Sequence, residues 1–148
     1  MLRKSAIVLL MSGLAACGST NTDGSVASGP LGQTPLMTPA VQVAAQQGLE
    51  ACINTLTLGA PLSNLAAYNF APSRNGYRLK IDNPLIFAGD SAVAVKFDGT
   101  ECSVTAGPIY PVEIQTMQTI TANALSGRGN NLQVSFRRSS ENVVAILR

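Results

Sequence analysis

From Thr38 onward the hydrophobic positions fall into two rhythms, one of period near four and one of period two. Thr38-Pro39 is a helix start, a capping hydroxyl followed by proline at the first helical position. Val41, Ala45, Leu49, Cys52, Ile53 and Leu56 then recur at helical spacing, while Gln42, Gln46, Gln47, Glu50 and Asn54 fall mostly elsewhere. Gly59 ends that helix. A second short helix is predicted from Pro61 to about Tyr68, with Leu62, Leu65 and Ala66 facing inward.

Beyond Asn75-Gly76, a turn pair, the rhythm changes. Tyr77, Leu79 and Ile81 alternate with Arg78, Lys80 and Asp82, the pattern of a half-buried strand. Leu85–Phe87 reads as a short strand piece after Pro84. The strongest local signal is 92–105, where Asp98-Gly99 predicts a two-residue hairpin turn. Pairing Phe97 with Thr100 sets Lys96 opposite Glu101, Val95 opposite Cys102 and Val93 opposite Val104. One face is then Val93, Val95, Phe97, Cys102 and Val104; the other is Ala94, Lys96, Glu101, Ser103 and Thr105.

Residues 111–125 fit a helix through Ile114, Met117, Ile120, Ala124 and Leu125, with Gly127 as its stop, although the threonines leave a strand open. Leu132, Val134 and Phe136 alternate with polar neighbours as a strand. Asn142–Leu147 is a last apolar strand, reached by a turn through Arg137–Glu141. The expected class is α+β: N-terminal helices packed on one face of a small antiparallel sheet, with the further helix near 111–125. No internal repeat is present.

The first residues follow neither rhythm. Met1–Lys4 is a short basic stretch, Ser5–Met11 is apolar, and Leu14-Ala15-Ala16-Cys17-Gly18 follows Ser12-Gly13. This layout is that of a secretory signal peptide, and the apolar run is too short to span a bilayer as a stable helix. Leu14-Ala15-Ala16-Cys17 resembles the lipobox of bacterial lipoproteins. The resemblance covers about the first 18 residues and says nothing about the rest of the chain. It implies a signal peptide over 1–17, cleavage before Cys17 and a lipid anchor on the Cys17 thiol. Several acyl chains on one residue bind a membrane stably where a single chain binds marginally. Gly18, in place of the aspartate that retains such proteins in the inner membrane of Gram-negative bacteria, implies the periplasmic face of the outer membrane.

Residues 18–37 are dominated by Gly, Ser, Thr and Pro and show no apolar period, the composition of a flexible tether. About 20 such residues have an r.m.s. reach of roughly 25 Å. Pro35-Leu36-Met37 is the tether's only apolar spot. Residues 38–148 are then expected to form a single globular domain.

Composition changes this picture in two ways. Charged residues are only 12% of the chain, about half the usual share, so Ser, Thr, Asn and Gln must cover the surface. The formal charge of +2 depends on the leader. Ten basic residues less Arg3 and Lys4 leave eight, against eight acidic ones, so the exported part is neutral. That balance, with no basic patch interleaved with aromatics, gives no reason to expect a nucleic-acid partner.

With Cys17 committed to lipid, two cysteines remain in an oxidising compartment. Cys52 lies on the apolar stripe of the first helix and Cys102 on the apolar face of the hairpin, so a Cys52–Cys102 disulfide would pin helix to sheet. Without a Cys-x-x-Cys motif, a structural bond is expected rather than a redox-active one.

Candidate chemistry is sparse. The chain has no histidine, which removes Ser-His-Asp and Cys-His nucleophilic systems and the commonest metal ligand. Glu50, Asp82, Asp90, Asp98, Glu101, Glu113 and Glu141 show no recognisable pairing for glycosidase chemistry. Lys80 and Lys96 read as outward strand residues, which argues against a Ser-Lys dyad. No calcium loop or phosphate-binding glycine loop is present, and no cofactor is implied. Arg78, Lys80, Arg137 and Arg138 would form a partner-contact patch if their strands were neighbours, and are otherwise a solvated sheet face. Arg74-Asn75-Gly76-Tyr77 is either a contact loop or a turn with Tyr77 in the core. The expectation is therefore a non-enzymatic, membrane-anchored interaction or structural module with an envelope protein partner; the alternative is a small ligand-binding or hydrolase-inhibiting lipoprotein.

Overall fold

The computed structural model describes residues 37–82, 90–109, 114–128 and 131–148. Cys17, the tether up to residue 36, and the strand expected at Leu85–Phe87 lie outside the described residues. The elements follow in the order α1 (Pro39–Leu58), a 3-10 helix (Leu62–Tyr68), β1 (Ala71–Ser73), β2 (Gly76–Asp82), β3 (Asp90–Phe97), β4 (Cys102–Gly107), α2 (Ile114–Leu125), β5 (Val134–Ser139) and β6 (Asn142–Leu147). The six strands form one antiparallel sheet in the order β1-β2-β3-β4-β6-β5. This is an α+β architecture. Helix α1 packs on β3 and β4 and against α2, and α2 packs on β6 and β5.

Thr38 caps α1 by accepting from the Val41 N–H at 3.4 Å, and Pro39 fills the first helical position. Gly59 ends the helix in the left-handed conformation, at φ +66°. The stripe Val41, Ala45, Leu49, Cys52 and Ile53 is buried against the sheet. Met37, at the end of the expected tether, is also buried, and its carbonyl accepts from the Gln42 side chain at 2.8 Å.

Residues 62–68 coil as a 3-10 helix. At three residues per turn Leu62 and Leu65 stack along one edge, and Ala66 rotates off it. Ala66 is accordingly exposed rather than inward, while Leu65 is fully buried. Helix α2 buries Met117, Ile120 and Ala124. Its awkward Thr121 is accommodated because the hydroxyl donates to the Met117 carbonyl at 2.7 Å.

The β3–β4 hairpin differs from expectation in register. Phe97 pairs with Cys102, Lys96 with Ser103 and Val95 with Val104, so the connection is a four-residue loop. Its cause is the Asp98 side chain. Oδ1 accepts from the Thr100 N–H at 2.9 Å, the Thr100 hydroxyl at 3.1 Å and the Glu101 N–H at 2.8 Å. These three bonds stabilise a wider loop than the Asp-Gly pair alone would select. A slip of two residues keeps every side chain on its face, so Val93, Val95, Cys102 and Val104 still face the helices and are fully buried. Lys96 loses Glu101 as a partner; Glu101 instead pairs with Arg148, at 2.7 Å.

The β5–β6 turn is also tighter than expected. Ser139 pairs with Asn142, so Arg137 and Arg138 belong to β5 and the turn is Ser140-Glu141, with Ser140 at φ +54°. Strand β6 is buried along Val143–Leu147 on both faces, which matches its unbroken apolar run.

The disulfide joins Cys52 and Cys102, with the Cα atoms 5.5 Å apart. It lies one turn from a close approach of α1 to the sheet. A Cβ built on Gly48, one turn earlier, would stand 2.8 Å from Val95 Cγ2 and 3.3 Å from Val104 Cγ1.

Candidate functional site

The four basic residues singled out above are all exposed but divide into two pairs. Arg78 and Lys80 lie on β2, Arg137 and Arg138 on β5, and β3, β4 and β6 run between them. Within β5, Arg137 is on the face away from the helices and Arg138 on the other. Their strands are not neighbours, so the sheet does not gather them. Lys80 and Lys96 are exposed on the face away from the helices. Arg74 and Asn75 form the exposed β1–β2 turn, and Tyr77 is half-buried against the core.

Among the carboxylates, Asp82 and Asp90 are direct partners across β2 and β3, a pairing the sequence hid. Both are exposed. Like charges placed opposite one another destabilise a sheet slightly. Asp98 is held below the ordinary carboxylate range, chiefly by the Thr100 N–H, then by the Glu101 N–H and the Thr100 hydroxyl. Its perturbation serves the loop. No group of three or more His, Cys, Asp or Glu side chains suited to a metal ion occurs among the described residues.

A cleft of about 360 Å3 lies between α1 and the 3-10 helix. One wall is the α1 flank turned away from the sheet. Gln47, Glu50, Ala51 and Asn54 follow one another at spacings of three, one and three, so they share a face. The opposite wall carries Asn64 and Tyr68, and Leu65 lies between.

The walls are fixed by their ends. Behind Gly59, the Ala60 N–H donates to the Asn54 carbonyl at 3.2 Å, and the Thr55 hydroxyl donates to the Ala60 carbonyl at 2.8 Å. The 3-10 helix is anchored by Leu65 and by Phe70, which is 2% exposed and whose N–H donates to the Leu65 carbonyl at 3.3 Å. Asn69, at φ +66°, closes the helix between them. Tyr68 is left 48% exposed at the rim.

Two polar side chains of α1 are held in place. Glu50 Oε1 accepts from Gln46 Nε2 at 3.0 Å, and Asn54 Oδ1 accepts from Arg128 Nη1 at 2.8 Å. The second bond ties the segment after α2 to the rim. The cleft thus combines amides, one carboxylate, one guanidinium nearby, small apolar side chains and an aromatic edge.

A second feature lies at the C-terminal end of α1. Phe97, 37% exposed, lines a hollow of about 410 Å3 with Ala60, Pro61 and Leu62, and α1 ends on Leu58, 77% exposed. Sequence reading left Phe97 on the apolar face of the hairpin and assigned Leu58 no role. The signal for the cleft was present in the spacing of Gln47, Glu50 and Asn54, but it reads equally as a solvated helix flank. Compared with known proteins, the chain matches no family model, no curated protein and no solved structure.

Proposed function

We propose that this chain is a lipid-anchored lipoprotein of the cell envelope whose folded part is a non-enzymatic interaction or structural module of a periplasmic or outer-membrane assembly. The observation that carries this reading is the position of the exposed apolar tip. Helix α1 has 20 residues and so spans about 30 Å. The tether joins its N-terminal end, while Pro61 and Phe97 line a hollow at the other, where the helix ends on the exposed Leu58. Exposed apolar side chains beside a hollow offer a partner surface to bury, and these lie at the end of α1 opposite residue 38. The partner expected is an envelope protein that presents an apolar side chain to the hollow beside Phe97.

The tether supplies reach, and the Cys52–Cys102 bond lets a small domain hold its shape outside the cell. Cell fractionation tests the anchor: Cys17→Ser is expected to move the protein from the membrane to the soluble fraction, and continued membrane pelleting contradicts it. Affinity purification from crosslinked membranes tests the partner. A reproducible envelope protein, lost with Phe97→Glu, is the expected result.

A second reading, a small ligand-binding or hydrolase-inhibiting lipoprotein, is favoured by the cleft between α1 and the 3-10 helix. Its volume of about 360 Å3 is at the small end of the range for ligand sites.

A further inference from the structure

We propose that the cleft between α1 and the 3-10 helix binds a short, uncharged glycan of one or two pyranose rings. The inference rests on the ligand-binding reading of that cleft and names its ligand class. A pyranose has polar edges and apolar faces, and it needs a site that offers both within a few ångströms. Here Gln47, Asn54 and Asn64 present amides, each able to donate to one hydroxyl and accept from another. Glu50 offers a charged acceptor, which strengthens hydroxyl hydrogen bonds. Tyr68 offers a ring at the rim, and Ala51 keeps the wall shallow enough for a flat ligand.

Two of the four polar groups are oriented by neighbouring side chains. Glu50 is oriented by Gln46, and Asn54 by Arg128. Tyr68 stands on a seven-residue 3-10 helix, longer than the three or four residues usual for that conformation. Leu65 and Phe70 hold this helix to the core. Asn69 at φ +66° fixes the chain direction immediately after the ring.

Other ligand chemistries fit less well. An anion would meet the Glu50 carboxylate. An extended peptide needs a strand edge or pockets for alternate side chains, whereas both walls here are helical. A lipid chain needs a longer, drier groove than one lined by three amides and a carboxylate.

Saturation-transfer NMR on the purified full-length protein tests this, with cellobiose, maltose and N,N′-diacetylchitobiose as probes at millimolar concentration. At least one glycan is expected to receive saturation, strongest on the ring protons of one face. Tyr68→Ala is expected to weaken its binding by about tenfold, the scale of one lost stacking contact. Tyr68→Phe retains binding, because the ring and not the hydroxyl carries the contact, and Glu50→Gln weakens it several-fold. Absence of transfer to all three glycans, or transfer unchanged in Tyr68→Ala, overturns the proposal. An apolar or amino-acid fragment that binds and is lost with Tyr68→Ala, when no glycan binds, overturns the glycan assignment but leaves the ligand reading standing. If no probe responds to Tyr68→Ala, both fail.

Discussion

The two flanks of helix α1 show what different investments a single helix makes. On the sheet side Gly48 lets the backbone approach until a single methyl would overlap Val95, and one turn later Cys52 is bonded to Cys102. Leu49, Val95 and Val104 fill the space between and are completely buried. On the other flank, a few ångströms around the same turns, Gln47, Glu50 and Asn54 face an open cleft. The sheet side is close-packed and covalently fixed, and it tolerates little change. The cleft side is polar, hydrogen-bonded and roomy. A flank whose side chains are half-buried and polar, and that is held in shape by Gln46, Arg128 and Asn69, is where binding can be placed with less disturbance of the core.

The contrast can be broken most forcefully at the disulfide. Replacing Cys52 and Cys102 by serine opens a loop of 50 residues, which the chain-entropy model values at roughly 4 kcal/mol. The urea midpoint should fall accordingly. Next comes Gly48→Leu, an overpacking change expected to cost about 1–3 kcal/mol or more by the same assay. A variant as stable as the parent would show that α1 does not lie as close to β3 and β4 as described. Asp82→Asn removes a like-charge pair across β2 and β3 and should stabilise by a few tenths of a kcal/mol, on the scale of about 0.2–1 kcal/mol for such pairs. On the other flank, Tyr68→Ala and Glu50→Gln should leave the midpoint within about 0.5 kcal/mol of the parent. A larger loss would mean that the cleft wall is part of the core and would erase the distinction between the flanks.

The β3–β4 loop sharpens the comparison by pH. Hydrogen bonds hold Asp98 below the ordinary carboxylate range in the folded chain. A depressed folded-state value means that its contribution is complete above the unfolded value and is lost as pH falls through the folded one. Measured against their intrinsic rates, the Thr100 and Glu101 amides should therefore exchange faster on acidification, before the α1–sheet contacts respond. Asp98→Ala should show the fast exchange already at neutral pH.

Much of the fold was legible because burial imposes a period. Val41, Leu49 and Cys52 marked one helical stripe, and Val93, Val95 and Val104 one sheet face, strongly enough to align Cys52 with Cys102. The hairpin register was not legible, since registers two residues apart give the same faces, and the choice lay in the hydrogen bonds of one aspartate side chain. The three-residue strand β1, which contains Pro72, is too short and too exposed to carry any alternation. The separation of Arg78 and Lys80 from Arg137 and Arg138 depends on strand order, and no local pattern encodes it. The cleft was hidden for a similar reason. Its walls come from two elements separated by Gly59, and polar residues on a helix flank look the same whether they face water or a site.

Photocrosslinking in living cells tests the account of the domain as an outward-facing interaction module most directly. A photoreactive residue replaces Phe97 at the apolar tip or, as a control, Lys80 on the face of the sheet away from the helices. A discrete crosslinked envelope protein from position 97, absent from position 80, is the predicted result. No adduct at position 97, or the same adduct in the same yield from both positions, would contradict it.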